Sequence, residues 1–128
     1  MSIEKLQRSA TASTPTIDFD PASGVLRLSG ESYPENAFEY FRPLLAWAAN
    51  YVAQARTPIV AEIALSYLNT SSIKSVMDLL DILEAAHRKG GNVSVRWSYA
   101  QDNERALEMI EEFKEEVTLP FFIVPVAT

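Results

Sequence analysis

The densest run of reactive side chains is Asn69-Thr70-Ser71-Ser72, followed closely by Lys74. Three adjacent hydroxyls directly before an apolar-periodic segment sit where a helix starts and where its first backbone N–H groups lack intrahelical acceptors. Two chemistries fit. In the first, one hydroxyl caps the helix and the others complete a turn. In the second, an exposed hydroxyl accepts a phosphate, adding about −1.5 to −2 charges that a helix N-terminus tolerates. The first turn carries Lys74 and no acid before Asp78, so this helix start stays electropositive.

Elsewhere the reactive inventory is thin. The single histidine, His87, falls beside Arg88 and Lys89 in a last helical turn, where cations meet the helix dipole favourably. With no cysteine there is no thiolate nucleophile or thiolate metal site. The glutamates between Glu104 and Glu116 lack the ligand spacing of a calcium loop and read as a solvated helix face. The four glycines, Gly24, Gly30, Gly90 and Gly91, form neither a dinucleotide nor a Walker fingerprint. The expectation is a non-enzymatic protein with no metal and no cofactor.

A net charge of −6 over 128 residues, without any basic stripe, excludes binding driven by nucleic-acid phosphates. The most apolar stretch, from Pro43 to Ala55, is interrupted by Asn50 and Gln54 and is shorter than the roughly 20 residues of a bilayer span. No membrane insertion is expected. The start has no hydrophobic signal centre, which together with the lack of cysteine points to the cytoplasm.

The elements that must position the hydroxyl run are legible from periodicity. Residues 1–13 read as a flexible N-terminal arm, and 14–128 as one domain. Ile17 and Phe19 alternate with polar neighbours, Pro21-Ala22-Ser23-Gly24 supplies turn chemistry, and Val25, Leu26 and Leu28 continue at strand spacing, which predicts a hairpin. Asn36 and Glu39 resemble a capping box ahead of a helix containing Phe38, Phe41, Leu45, Ala48 and Val52, kinked or divided at Pro43. Ile59 to Leu68 reads as a strand covered on both faces. Ile73, Val76, Met77, Leu80, Leu83 and Ala86 mark a second helix; Val93, Val95 and Trp97 a strand. A third helix is capped by Asp102 or Asn103, and Phe121 to Val126 makes a last strand. The order β-β-α-β-α-β-α-β predicts a single-domain α/β fold, a mixed, mostly parallel sheet packed by helices.

Several runs together resemble one family. Tyr33-Pro34-Glu35-Asn36, Leu65 through Lys74, Val95-Arg96-Trp97-Ser98-Tyr99, Glu111-Glu112-Phe113 and Pro120-Phe121 are similar to the SiaC family of bacterial regulatory phosphoproteins, whose fold is similar to that of the anti-sigma-factor antagonist (STAS) domain. The resemblance implies a partner-switching protein. It would be phosphorylated by a cognate Ser/Thr kinase and dephosphorylated by a PP2C-type phosphatase, its unmodified form binding an effector such as a diguanylate cyclase in biofilm control. Carried onto this chain, the family's phosphothreonine falls on Thr70; the STAS analogy favours Ser71, and Ser72 ranks third. The partner-binding set is then Asn69, Thr70, Ser71, Ser72 and Lys74, extended by the exposed side of the second helix, the acidic third helix and the loop from Glu31 to Asn36. The alternative is a STAS-like small-molecule or lipid-binding domain without a phospho-switch, its pocket lined by Trp47, Tyr51 and Trp97.

Overall fold

A computed structural model describes residues 3–127, in which six strands and three helices follow one another as β1 (Leu6–Arg8), β2 (Thr16–Asp20), β3 (Val25–Ser32), α1 (Ala37–Gln54), β4 (Ile59–Leu68), α2 (Thr70–Arg88), β5 (Val93–Ala100), α3 (Glu104–Glu115) and β6 (Phe121–Val126). Residues 1 and 2 of the expected arm, and residue 128 of the expected domain, lie outside the described residues. All strands join one sheet in chain order. β1 to β3 pair antiparallel, and β3 to β6 pair parallel. The mixed, mostly parallel α/β architecture is as the element order predicts.

The arm is a partial correction. Leu6 to Arg8 form an edge strand paired with Phe19 to Ile17, and the Trp47 indole N–H donates to the Glu4 carbonyl at 2.6 Å. Three residues without periodicity carry no strand signal of their own. The hairpin between β2 and β3 forms as its turn residues dictate. The Asp20 carboxylate accepts from the Ala22 N–H and the Ser23 hydroxyl, each at 3.0 Å. Gly24 adopts φ +75°, and a Cβ there would come within 2.3 Å of the Pro58 carbonyl oxygen. Only glycine allows that approach, through which Val60 N–H bonds to the Gly24 carbonyl at 2.9 Å.

Because β3, β4, β5 and β6 are neighbours in sequence as well as in space, right-handed crossovers place all three helices on one face of the sheet. That face holds the core. Leu26, Leu28, Ala61, Ile63, Leu65, Val95 and Trp97 are buried under Phe41, Leu44, Ala48, Val76, Leu80, Leu83, Ile110 and Phe113. The opposite face carries Arg27, Ala64 and Arg96 in the open, with Val60 and Glu62 half-buried. The expectation that β4 is covered on both faces is therefore wrong: Val60 and Ala64 belong to the bare side. Pro43 does not divide the first helix, since α1 runs unbroken through it. Phe38 is 65% exposed rather than part of the buried stripe, which instead runs through Ala37, Phe41, Leu44, Ala48 and Tyr51.

Candidate functional site

At the end of β4 the chain turns through Asn69 into α2, and this asparagine makes three local attachments. Its Oδ1 accepts from the Ser72 N–H at 2.9 Å, its Nδ2 donates to the Pro34 carbonyl at 3.2 Å, and its own N–H donates to the Ser32 carbonyl at 3.0 Å. Asn69 is thus the N-cap, a role that the sequence alone allowed to a hydroxyl. Ser72 is fully buried, its Oγ 2.8 Å from the equally buried Ser32 Oγ. It therefore leaves the expected partner-binding set, because a side chain without exposure meets neither a kinase nor an effector.

What remains is Thr70 and Ser71, the first and second residues of α2, both exposed. Neither hydroxyl bonds to another of the described residues, and the helical ladder begins only at Ile73, whose N–H reaches the Asn69 carbonyl at 2.9 Å. The backbone N–H groups of Thr70 and Ser71 lie at the positive end of the helix dipole without helical acceptors. As expected, the first turn contains no acidic residue. Lys74, however, is engaged: its Nζ lies 2.6 Å from Asp78 Oδ1, and that carboxylate's hydrogen bond and charge raise the lysine pKa.

Apolar side chains surround this junction. Tyr33 and Tyr67 meet edge to face with centroids 6.1 Å apart, and with Phe38 and Ile73 they make four of the six large hydrophobic side chains left exposed among the described residues. Tyr67 and Ile73 flank the Asn69-to-Ser72 turn in sequence, and Tyr33 meets Tyr67. Thr70, Ile73 and Met77 follow one another at helical spacing on one side of α2. Ile73 and Met77 form one wall of a groove of about 250 Å³, Met109 and Phe113 of α3 the other, and Glu112 and Glu116 rim it. Tyr33 also ties the arm to this end, its N–H donating to the Ser13 carbonyl at 2.8 Å and its hydroxyl to the Ala12 carbonyl.

Sequence reasoning passed over Glu84. This buried carboxylate accepts the N–H groups of Thr118 and Leu119, each at 3.0 Å, the Thr118 hydroxyl at 2.6 Å and Arg88 Nε at 2.9 Å. It fastens α2 to the segment linking α3 with β6. Burial pushes its pKa up, but the donors from Thr118, Leu119 and Arg88 outweigh that and hold it down at about 2. Its only sequence signal is the i,i+4 spacing to Arg88. His87 lies in the last turn of α2 beside Arg88, as its neighbours suggested. Of the aromatics expected to line a ligand pocket, Trp97 is fully buried against Phe113 and Phe121, and Trp47 stacks on Tyr51 at 4.9 Å.

A capped helix start with two free hydroxyls is a simple device, and the decisive observation is how much of the chain shares one family's pattern. The model of the SiaC family regulatory phosphoproteins matches residues 8–126. The chain belongs to the SiaC family. An uncharacterized protein of Pseudomonas aeruginosa (strain UCBPP-PA14) is 47% identical over 113 residues, covering 88% of this chain and 90% of that protein. The apo-SiaC crystal structure from P. aeruginosa superposes with a TM-score of 0.89 at 43% identity, covering 94% of this chain and 98% of that one. SiaC in complex with the diguanylate cyclase SiaD, which it activates in P. aeruginosa, superposes with a TM-score of 0.91 at 45% identity, covering 94% and 99%. Among the described residues no helix is long and apolar enough to cross a membrane.

Proposed function

We propose that this SiaC-family chain is a non-enzymatic, cytoplasmic partner-switching protein whose state is set by reversible phosphorylation of Thr70. A cognate Ser/Thr kinase transfers the γ-phosphoryl group of ATP to Thr70 Oγ, a PP2C-type phosphatase hydrolyses the ester, and the unmodified form binds and activates a diguanylate cyclase in biofilm control. The observation that carries this reading is the division of labour at the start of α2. Asn69 does the capping and Ser72 is buried, which leaves the Thr70 hydroxyl free and exposed beside an apolar surface. Ser71 is exposed too and stands second. Activation of the P. aeruginosa cyclase by a relative 45% identical supports the choice of effector.

The switch follows from charge. Thr70 opens the face of α2 that continues through Ile73 and Met77 into the groove, so an effector seated there covers Thr70. A dianion buried in such a contact without a paired cation costs on the order of several kcal/mol, and each 1.4 kcal/mol is about tenfold in affinity. Lys74, the cation nearest in sequence, already belongs to Asp78. The fold itself tolerates the phosphate, because a helix N-terminus favours negative charge. Effector affinity is expected to be unchanged in Thr70→Ala and at least roughly tenfold weaker in Thr70→Glu. Equal affinities for wild type and both variants would falsify the switch. Mass-spectrometric mapping after incubation with kinase and ATP should place the phosphate on Thr70; modification outside Thr70 and Ser71 rejects the site.

A further inference from the structure

The free edge of β6 is unlike the rest of this surface. From Leu119 to Ala127 the chain contains no charged residue, in a protein of net charge −6. Solvent-facing edge strands are normally blunted by charge, brevity or cover. The other edge obeys that rule: β1 has only three residues and is flanked by Lys5 and ends in Arg8. β6 is six residues long, Phe122 is 55% exposed, Val126 43%, and Val124 half-buried.

Hydrogen bonding fixes which groups face outward. Val95 N–H bonds to the Pro120 carbonyl and Gln101 N–H to the Val126 carbonyl, each at 2.9 Å. In a strand, the N–H and C=O of one residue point to the same side and those of the next residue to the other. The even-numbered residues of β6 therefore face β5, and Phe121, Ile123 and Pro125 direct their backbone groups to the open edge. Proline has no N–H, so its place at an outward position leaves the pairing with β5 intact.

We infer that β6 pairs antiparallel with β6 of a second copy of this chain about a two-fold axis at Ile123, joining two six-stranded sheets into one. In that register the two Ile123 residues exchange hydrogen bonds, and each Phe121 N–H meets the Pro125 carbonyl opposite, so every outward donor of both strands is used. Phe122 then lies across from Val124 of the second copy on the bare face, twice over, covering a side chain that is 55% exposed. No charged residue lies between Leu119 and Ala127, so within the strand pair itself two copies of net charge −6 bring no like charges together. A six-residue strand pair falls below about 1,200 Å² of buried surface, the size class of weak associations.

Sedimentation velocity of the full chain tests this. The expected result is a shift from monomer to dimer between about 5 and about 500 µM, with Phe122→Lys raising the dissociation constant at least roughly tenfold while its thermal unfolding stays cooperative. Because the chain lacks cysteine, introduced thiols report register. A mixture of Phe122→Cys and Val124→Cys chains should cross-link under mild oxidation far faster than either alone. A monomer throughout that range, a dimer indifferent to Phe122→Lys, or cross-linking no faster in the mixture overturns the proposal.

Discussion

Asn69 secures the start of α2 from both sides, holding the α2 backbone through Ser72 and the end of β3 and the chain beyond it through Ser32 and Pro34. Its replacement by alanine removes a cap and should lower stability by about 1 to 2 kcal/mol in urea denaturation. Beneath it, Ser32 and Ser72 satisfy each other out of water. Either single alanine variant leaves one buried hydroxyl unpaired, at a cost of about 1 to 3 kcal/mol, and the double variant should recover part of that loss. A double-mutant cycle whose interaction energy is zero would contradict the pairing. These effects on stability are separate from Thr70, whose hydroxyl forms no hydrogen bond with the described residues.

At the scale of elements, Glu84 makes α2 and the link between α3 and β6 one unit. Its carboxyl is held at about 2 against an ordinary 4.5. Stability from a depressed carboxyl pKa is complete above the unfolded value and is lost as pH falls towards the folded one, so this contribution should fade between about pH 4.5 and about pH 2. Glu84→Gln should lose about 2 kcal/mol at neutral pH and show a flatter decline over that window, as read from urea midpoints at stepped pH. Local signals made most elements legible. The hairpin turn, the Asn36 cap and the limits of β6 are readable because each rests on neighbours in sequence, while the choice between Asp102 and Asn103 as the third cap falls to Asn103 only in the structure. What was hidden depends on partners far along the chain. The Glu84 contacts span 34 and 35 residues, β1 is a strand only because β2 accepts it, and the apolar run of β4 does not reveal that one face lacks a helix. Phe38 and Ile73 misled for the opposite reason: their types suit a core, yet both are exposed. The position of the hydroxyl run at the start of α2 is legible from the sequence, but its division into cap, buried pair and exposed hydroxyls requires the position of Ser32.

Across the whole molecule, a single layer of helices means that Trp97, fully buried between Phe113 and Phe121, depends on the last strand for one of its walls. Its indole N–H also donates to the Leu65 carbonyl at 3.3 Å. Trp97→Ala should cost about 3 to 5 kcal/mol, checked by urea denaturation followed by circular dichroism. The spatial order of the strands repeats their order in the chain. No strand has to be inserted between two that are already paired, so a nascent polypeptide can add each to the growing edge as it leaves the ribosome. Ribosome-arrested chains of increasing length should gain protease resistance in steps, one for each βα unit, with Trp97 quenched by water until Phe121 has emerged.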